Sequence, residues 1–267
     1  MRVGSLFSGI GGMDLGLERA GMRVAWQVEK DEWCRRVLAH HWPNVRQYGD
    51  IHDLDLCDLE GVDLVAGGFP CQPFSVAGRR AGTRDDRYLW PRMLEVIRHV
   101  RPAWVLGENV AGIVNLALDR VLSDLEAQGY ACRTFNIPAC AVDAPHERKR
   151  IWIVAHAQGE PKRPAGLSRE RGHVGPADAV RELQSQRGLG KQRGRPGHAS
   201  SAGFWSDHAW IVGGDGKARR AKPGLRGLAH GVPGRVAKLR GFGNAVVPQV
   251  VEVIGRAIMA AHLQESA

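Results

Sequence analysis

A cysteine held between two prolines is the residue of this sequence best suited to nucleophilic chemistry. Residues 67–75 read G-G-F-P-C-Q-P-F-S, and Cys71 lies between Pro70 and Pro73, shortly after a predicted strand. Ligand sites in open α/β sheets lie at the carboxyl ends of strands, so this thiol is placed where chemistry is expected. A free thiol is more often an inert core residue, but a proline-flanked loop is poorly suited to core packing. The pattern therefore favours Cys71 as a nucleophile.

One carboxylate could meet a ring attacked by that thiol, and two arginines share one face of the chain. Glu108, in G-E-N-V, ends the strand predicted to begin at Trp104. Arg148 and Arg150 are two residues apart in H-E-R-K-R, so an extended chain presents both on one face. Taken singly, such a glutamate is commonly a helix N-terminal charge, and such arginines are commonly surface residues. From the residues alone both interpretations stay open.

A glycine turn and two acidic strand ends are suited to an adenosyl ligand. Residues 7–12 read F-S-G-I-G-G between a predicted strand and a predicted helix, where glycines allow close approach of a nucleotide-like ligand. Glu29 ends the second predicted strand and can accept hydrogen bonds from both ribose hydroxyls. Asp50 and Ile51 follow the third, suited to the adenine amino group and ring. Because the turn is not G-x-G-x-x-G, the set fits an adenosyl ligand without pyrophosphate better than a dinucleotide.

Alternating strands and helices position these residues. The alternation predicts an α/β domain whose parallel sheet is covered by helices. Apolar spacing over residues 248–262 returns to a helical period after an irregular middle. The strands are predicted at residues 3–7, 24–28, 63–67, 104–108, 130–136 and 151–156, and the helices between them at 12–20, 31–41, 89–99 and 114–128.

Charge divides the chain into a balanced body and a basic middle. The net charge is +9, and residues 157–226 hold fourteen Lys and Arg against six Asp and Glu, which accounts for nearly all of the excess. Such a stretch attracts polyanions such as nucleic acid, although a solvated insert from an arginine-rich genome would have the same composition. We therefore expect a catalytic and cofactor-binding domain over residues 1–156, a basic domain over 157–226, and a segment over 227–267 that returns to the first domain.

Composition excludes several classes of protein. With 267 residues, 43% hydrophobic and 24% charged, the chain can bury a substantial core and is neither disordered nor fibrous. Its five cysteines are odd in number and lack C-x-x-C spacing, which predicts free thiols and no metal site. No apolar run approaches the roughly 18 residues of a membrane span, and early glycines argue against a secretory signal. These features predict a cytoplasmic protein without membrane contact.

The ordered motifs resemble those of cytosine-C5 DNA methyltransferases. They are F-S-G-I-G-G, Glu29, Asp50-Ile51, G-F-P-C-Q-P-F-S, G-E-N-V, H-E-R-K-R and G-N-A-V, and they cover residues 1–156 and 235–262. Pro-Cys-Gln joined to Glu-Asn-Val is highly specific in combination. The resemblance implies a Rossmann-like, S-adenosylmethionine-dependent catalytic domain carrying an inserted, irregular target-recognition domain.

The resemblance also implies a role for each matching residue. Cys71 would add to carbon 6 of a cytosine flipped out of duplex DNA, and Glu108 would hold N3 and the exocyclic amine. Arg148 would contact the O2 side, and Arg150 would position Cys71 or its loop. Separately from the resemblance, the glycines and arginines of residues 75–87 favour a loop that closes over the DNA, although a permanently exposed basic loop would have the same composition. The S-adenosylmethionine site would be lined by Phe7, Gly9, Ile10, Gly12, Glu29, Asp50, Ile51, Pro70 and Leu89, and closed by Asn244, Ala245 and Val246.

Two positions depart from the family pattern. Lys30 stands where an aromatic residue often follows the ribose-binding Glu, so stacking on adenine would fall to Phe7 and Ile51. His146 stands where a Gln commonly opens the Q-x-R-x-R pattern, which leaves the two arginines as the secure matches.

Two other functions are compatible with such a fold. One is methylation of tRNA cytosine, although the Cys-Phe-Thr element usual in that branch is absent from the basic stretch. The other is DNA binding without catalysis, against which the intact Cys71, Glu108 and Arg148 argue. A nicotinamide oxidoreductase would need G-x-G-x-x-G, which is missing. For the favoured function we expect a monomer that binds double-stranded DNA, with a cognate restriction endonuclease as a candidate partner in restriction-modification.

Overall fold

The helices and strands follow one another in the alternating order that the sequence predicts. A computed structural model describes residues 1–70, 88–159, 209–212, 218–221 and 241–265. Short 3₁₀ turns lie in three connections, at Leu56–Asp58, Ala111–Asn115 and Ala139–Val142. The described elements are β1 (Arg2–Leu6), α1 (Gly12–Arg19), β2 (Arg23–Val28), α2 (Glu32–His41), β3 (Arg46–Tyr48), β4 (Leu64–Gly67), α3 (Trp90–Val100), β5 (Trp104–Val110), α4 (Leu118–Glu126), β6 (Tyr130–Ile137), β7 (Arg150–Ala157), β8 (Ala209–Val212), β9 (Ala218–Ala221) and α5 (Pro248–Glu265).

Seven of the described strands form one mixed sheet in the order β3-β2-β1-β4-β5-β7-β6. Strands β1 to β5 pair in parallel, whereas β7 is antiparallel to both β5 and β6. The prediction of a wholly parallel sheet is therefore wrong for β7. The physical reason lies in residues 138–149, which contain a 3₁₀ turn but no α-helix. Without a crossover helix, the chain returns beside β6 in the opposite direction.

The order of the strands reverses at β1, which lies between β2 and β4. Leu6 is paired with Val28 on one side and with Gly67 on the other, and Gly67 is paired with Gly107 of β5. The carboxyl ends of β1, β2, β4 and β5 therefore lie side by side along one edge of the sheet. Ligands of open α/β sheets bind at such a switch point.

Two apolar layers cover the sheet because its central strands are apolar on both faces. On one face Val65 packs in a cluster with Met93 of α3 and with α4. On the other face Leu64 packs in a second cluster with Leu17 of α1 and Val251 of α5. All of these side chains are at most 1% exposed, so the strand ends stand on a rigid support.

The first and last helices of this second layer pack closely through glycines. A Cβ added to Gly16 would lie 2.5 Å from the Cβ of Val251, and one added to Gly255 would lie 2.8 Å from the Cβ of Ala20. Only glycine allows the two backbones to approach this closely. The C-terminal helix therefore joins the domain that the N-terminus begins.

One segment bears on the prediction that no apolar run is long enough to span a membrane. Within the described chain, the segment Gly241–Gln264 is long and apolar enough to span a membrane by length and composition alone, with a mean hydropathy of 1.4. However, Val250, Val251, Ile254 and Ile258 of this segment are buried against the sheet layer. The apolar composition is accounted for by packing within the domain.

Most of the predicted basic domain, residues 157–226, lies outside the described residues. Within it, β8 and β9 pair antiparallel, with Ala209 opposite Ala221 and Val212 opposite Ala218. The division into three domains stays a prediction.

Candidate active site

The chain leaves β1 through a turn that is held against the end of β2. Phe7, Gly9 and Gly11 have φ angles of +55°, +56° and +82°, in the left-handed region that favours glycine. The N–H of Gly9 donates to Glu29 Oε2 at 2.7 Å. The N–H of Asp31 donates to Glu29 Oε1 at 2.8 Å. Two backbone donors from different segments thus fix the Glu29 carboxylate beside the turn.

The turn leaves room for a ligand beside Gly9 and Glu29. A Cβ added to Gly9 would meet no atom within 4 Å, so the backbone borders open space there. Glu29 is half-buried, and each of its oxygens has a second lone pair beyond the one that accepts a backbone N–H. The carboxylate therefore retains acceptor positions for the ribose hydroxyls that are predicted to bind it.

A buried polar network supports the turn from inside the domain. Asp14, in the first turn of α1, is fully buried and accepts hydrogen bonds from Ser5 Oγ at 3.1 Å and Gln27 Nε2 at 2.9 Å. The hydroxyls of Ser5 and Ser8 lie 2.9 Å apart. Burial raises the pKa of Asp14 to about 6, against the opposing effect of its hydrogen bonds. The network joins β1, the turn, α1 and β2.

Beyond the end of β3, Asp50 is engaged in an ion pair. Lys30 Nζ lies 2.5 Å from Asp50 Oδ2, and this hydrogen-bonded partner lowers the pKa of Asp50. The other oxygen of Asp50 accepts the N–H of His52 at 3.1 Å. Ile51 is 3% exposed and belongs to the core, so little of its side chain is available to stack on adenine. Lys30 stands where an aromatic residue often follows the ribose-binding Glu. It thus contacts Asp50, the carboxylate that is predicted to bind adenine.

The segment that leads to Cys71 is fastened to its neighbours. Asn109 Nδ2 donates to the carbonyl of Phe69 at 2.9 Å. The N–H of Leu89 donates to the carbonyl of Pro70 at 3.3 Å. Cys71 itself and the predicted closing loop that follows it lie outside the described residues. The described chain therefore holds Phe69 at the end of β5 and Pro70 at Leu89, which directly precedes α3.

Glu108 is buried at the end of β5 with an arginine on one of its oxygens. It is 9% exposed, and Arg150 Nε lies 2.9 Å from Oε1. Oε2 faces Gly68, where an added Cβ would lie 2.9 Å from it. Burial raises the pKa of Glu108, against the opposing positive charges of Arg150 and Arg148. A carboxyl that retains its proton more readily than usual can act as a general acid or a hydrogen-bond donor.

Arg148 is directed towards the C-terminal segment. Its Nη2 donates to the carbonyl of Gly243 at 2.8 Å and to that of Ala245 at 2.7 Å. Burial, followed by the charge of Arg150, lowers its pKa. Of the two arginines, Arg150 is the one that contacts Glu108. Contact of Arg148 with a cytosine stays a prediction.

The C-terminal segment crosses the start of α1. A Cβ added to Gly241 would lie 3.1 Å from Ile10 Cγ2, and one added to Gly12 would lie 3.2 Å from the carbonyl oxygen of Val246. Ile10, Gly12 and Val246, assigned to one cofactor site from the sequence, are thus brought together by the fold.

Three residues that take part in this arrangement carry no role in the sequence analysis. A role for Asn109 could have been predicted, because it is a polar residue next to Glu108 near the end of a buried strand. Asp14 is a carboxylate on the buried face of an amphipathic helix, which is unusual enough to notice. No local sequence pattern predicts the ion pair of Lys30 with Asp50. Within the described ranges, no three His, Cys, Asp or Glu side chains are grouped as metal ligands.

Comparison with known proteins gives one consistent family. The family model for C-5 cytosine-specific DNA methylase matches residues 1–207. The type II methyltransferase M2.BsuMI of Bacillus subtilis is 36% identical over 171 residues, which are 61% of this chain and 43% of that protein. M.PspPI of a Psychrobacter species is 37% identical over 157 residues, which are 56% and 38% of the two chains. The crystal structure of the S. pombe Dnmt2 methyltransferase matches with 25% identity and a TM-score of 0.51, covering 60% of this chain and 51% of that one.

The mixed seven-stranded sheet is that of S-adenosylmethionine-dependent methyltransferases, as the structural neighbours confirm. Because the family model matches most of its length, the chain belongs to the C-5 cytosine-specific DNA methylase family. The predictions of family and fold class are thereby confirmed. The chain spans less than half the length of the two curated relatives named above.

Proposed function

We propose that this protein transfers a methyl group from S-adenosylmethionine to carbon 5 of cytosine in double-stranded DNA. The observation that carries the proposal is Glu108, buried and bound to Arg150 at a strand end. The glycine turn with Glu29 lies at the same edge of the sheet, and the chain reaches Cys71 directly after Pro70. A nucleophile, a carboxyl with a raised pKa and a cofactor cradle would thus meet at one switch point.

The residues proposed to hold the cofactor surround the turn after β1. Glu29 would accept the ribose hydroxyls, and the open face of Gly9 would admit the ligand next to the backbone. When bound, S-adenosylmethionine supplies an electrophilic methyl group. The remaining residues proposed for this site are Phe7, Ile10, Gly12, Asp50, Ile51, Pro70, Leu89, Asn244, Ala245 and Val246.

The proposed chemistry begins with Cys71 because carbon 5 of cytosine is a weak nucleophile. The Cys71 thiolate adds to carbon 6, and its electron pair forms the sulfur–carbon bond while N3 takes a proton. Glu108, whose pKa is raised by burial, would provide that proton or share it with N3. Carbon 5 then accepts the methyl group, with S-adenosylhomocysteine as the leaving group, and loses its own proton to a water molecule. The thiolate leaves as the double bond returns, and N3 gives its proton back to Glu108. Arg150 would hold Glu108 in place through Oε1.

Access to the base requires that the cytosine leave the helix. Inside a duplex neither face of carbon 6 can be reached, so the target must be flipped, at a cost of a few kcal/mol. The basic stretch over residues 157–226 would supply phosphate contacts and read the sequence. We propose that the protein acts as a monomer in the cytoplasm, where DNA and cofactor are both met, and that a cognate restriction endonuclease is a candidate partner.

Cys71→Ala should abolish methyl transfer to duplex DNA while leaving binding of S-adenosylhomocysteine largely intact. A duplex with 5-fluorocytosine at the target should trap a covalent complex with the unaltered protein, because the fluorine cannot be lost as a proton is. Transfer of tritiated methyl groups to DNA and to tRNA, with gel analysis of the trapped complex, measures both effects.

The matched control is Cys140→Ala, which removes an exposed free thiol and should change neither result. Transfer by the Cys71→Ala protein at the normal rate would contradict the nucleophile. Methylation of tRNA in preference to DNA would replace the proposed substrate.

A further inference from the structure

Two arginines at the start of β7 are directed to different partners. Arg150 contacts Glu108 at 2.9 Å, at the end of the sheet where the base would react. Arg148, two residues earlier, donates from one nitrogen to the carbonyls of Gly243 and Ala245, which follow it by 95 and 97 residues. The two side chains therefore act on different parts of the site.

The backbone at Arg148 is held in an unfavourable conformation. Its φ of +29° lies in the left-handed region although it is not glycine. Such a conformation persists only where the surroundings determine it. The two hydrogen bonds to Gly243 and Ala245 are charge-assisted, and these are stronger than neutral ones. They are a sufficient reason for the side chain to face the C-terminal segment.

The segment that Arg148 contacts is only partly supported by packing. Phe242 is 59% exposed, and Gly243 and Asn244 are exposed as well. A pocket of about 350 Å³ lies beside the segment, bordered by Leu15, Arg148 and Ala245 among others. Residues 242–244 thus gain little support from packing, and the hydrogen bonds of Arg148 give this part of the segment a contact with the rest of the site.

The same segment borders the turn that would bind the cofactor. The carbonyl oxygen of Val246 lies 3.2 Å from a Cβ added to Gly12, and Gly241 lies against Ile10. We propose that Arg148 is a positioning residue for cofactor binding, which holds residues 243–246 against the glycine turn. This proposal rests on the function proposed above. Arg148 then contributes to cofactor affinity, and Arg150 contributes to the reaction of the base.

The test is a comparison of Arg148→Met, Arg148→Lys and Arg150→Met by calorimetry with S-adenosylhomocysteine. Loss of two charge-assisted hydrogen bonds should weaken binding by about tenfold or more in Arg148→Met. Lysine, which keeps the charge and can reach a carbonyl, should restore part of the affinity. Arg150→Met should bind S-adenosylhomocysteine as the unaltered protein does. In steady-state assays on duplex DNA, Arg148→Met should raise KM for S-adenosylmethionine more than it lowers kcat, and Arg150→Met should do the reverse.

Circular dichroism and thermal melting of each variant separate loss of affinity from loss of folding. Unchanged affinity in folded Arg148→Met would overturn the proposal, as would an equal loss in Arg150→Met. An unaltered protein that binds S-adenosylhomocysteine but methylates no DNA would contradict the proposed function alone, and the affinities would still decide the role of Arg148. An unaltered protein that does not bind S-adenosylhomocysteine would contradict both.

Discussion

At Glu108, burial and two arginines act on one carboxyl in opposite directions. Burial raises its pKa, and the charges of Arg150 and Arg148 offset part of that effect. The arginine on Oε1 also leaves Oε2 on the side of Gly68, from which the chain continues to Cys71. A single side chain can thus be anchored through one oxygen and carry a proton on the other.

Glu108→Gln keeps the shape of the side chain and an acceptor for Arg150 but removes the proton that would be shared with N3. We expect methyl transfer to slow by about 10²–10⁴-fold, the usual contribution of a general acid or base. In the unaltered protein the rate should fall as the pH rises through the raised pKa of Glu108, because only the protonated carboxyl can donate. The variant should lack this alkaline limb.

Single-turnover methylation of duplex DNA over a range of pH measures both effects. Glu147→Gln is the control, since Glu147 is an exposed residue that pairs with Lys149. A Glu108→Gln protein that retains the normal rate and pH profile would exclude Glu108 as a proton donor.

At the scale of elements, α1 is joined to β1 and β2 through one carboxyl. Asp14 contacts Ser5 on β1 and Gln27 on β2, and its pKa is raised from 3.8 to about 6. The folded state therefore holds this proton more tightly than the unfolded chain does. Binding of this proton stabilises the folded protein fully below the pKa that Asp14 has in the unfolded chain. The stabilisation, about 3 kcal/mol, is lost as the pH rises through the pKa of Asp14 in the folded protein.

Asp14→Asn should remove this pH dependence, because an amide cannot ionise and can still hydrogen-bond to both neighbours. We expect the free energy of unfolding of the variant to change less between mildly acidic and neutral pH than that of the unaltered protein. Urea unfolding at several pH values measures the difference. Asp119→Asn, at an exposed position in α4, should preserve the original slope. An identical slope in Asp14→Asn would show that this carboxyl does not govern the effect.

Much of the architecture could be predicted because local patterns determine it. Runs such as the one at Leu64–Gly67 are apolar on both faces, which indicates a buried strand, and Asp31 caps α2 by accepting two backbone N–H groups. The direction of β7 was missed because it depends on the absence of a crossover helix over residues 138–149. The contacts of Asn109 with Phe69 and of Arg148 with Gly243 join residues far apart in sequence, which no local pattern can reveal.

At the scale of the whole molecule, the excess positive charge is concentrated in one stretch of the sequence, residues 157–226. Replacing residues 160–226 by a short Gly-Ser linker removes all fourteen Lys and Arg of the basic stretch. We expect binding of S-adenosylhomocysteine to persist, because the turn after β1 and residues 241–246 remain. Selective DNA binding should be lost, and the remaining affinity should depend less steeply on salt because fewer phosphates are neutralised.

Titration of matched and mismatched duplexes at several salt concentrations measures this change, with circular dichroism as the control for folding. Sequence-selective binding by the shortened protein would show that recognition lies elsewhere in the chain.

The close packing of α1 against α5 at Gly16 and Gly255 also constrains the order in which the protein can fold during synthesis. Gly16 is synthesised 235 residues before Val251, against which it packs. The layer beneath the cofactor cradle therefore cannot close until α5 has been synthesised, since long-range contacts must await the distal partner. Until α5 has been synthesised, Leu17 and Leu64 lack Val251 as a packing partner, so a chain without α5 would present this apolar layer to chaperones and proteases.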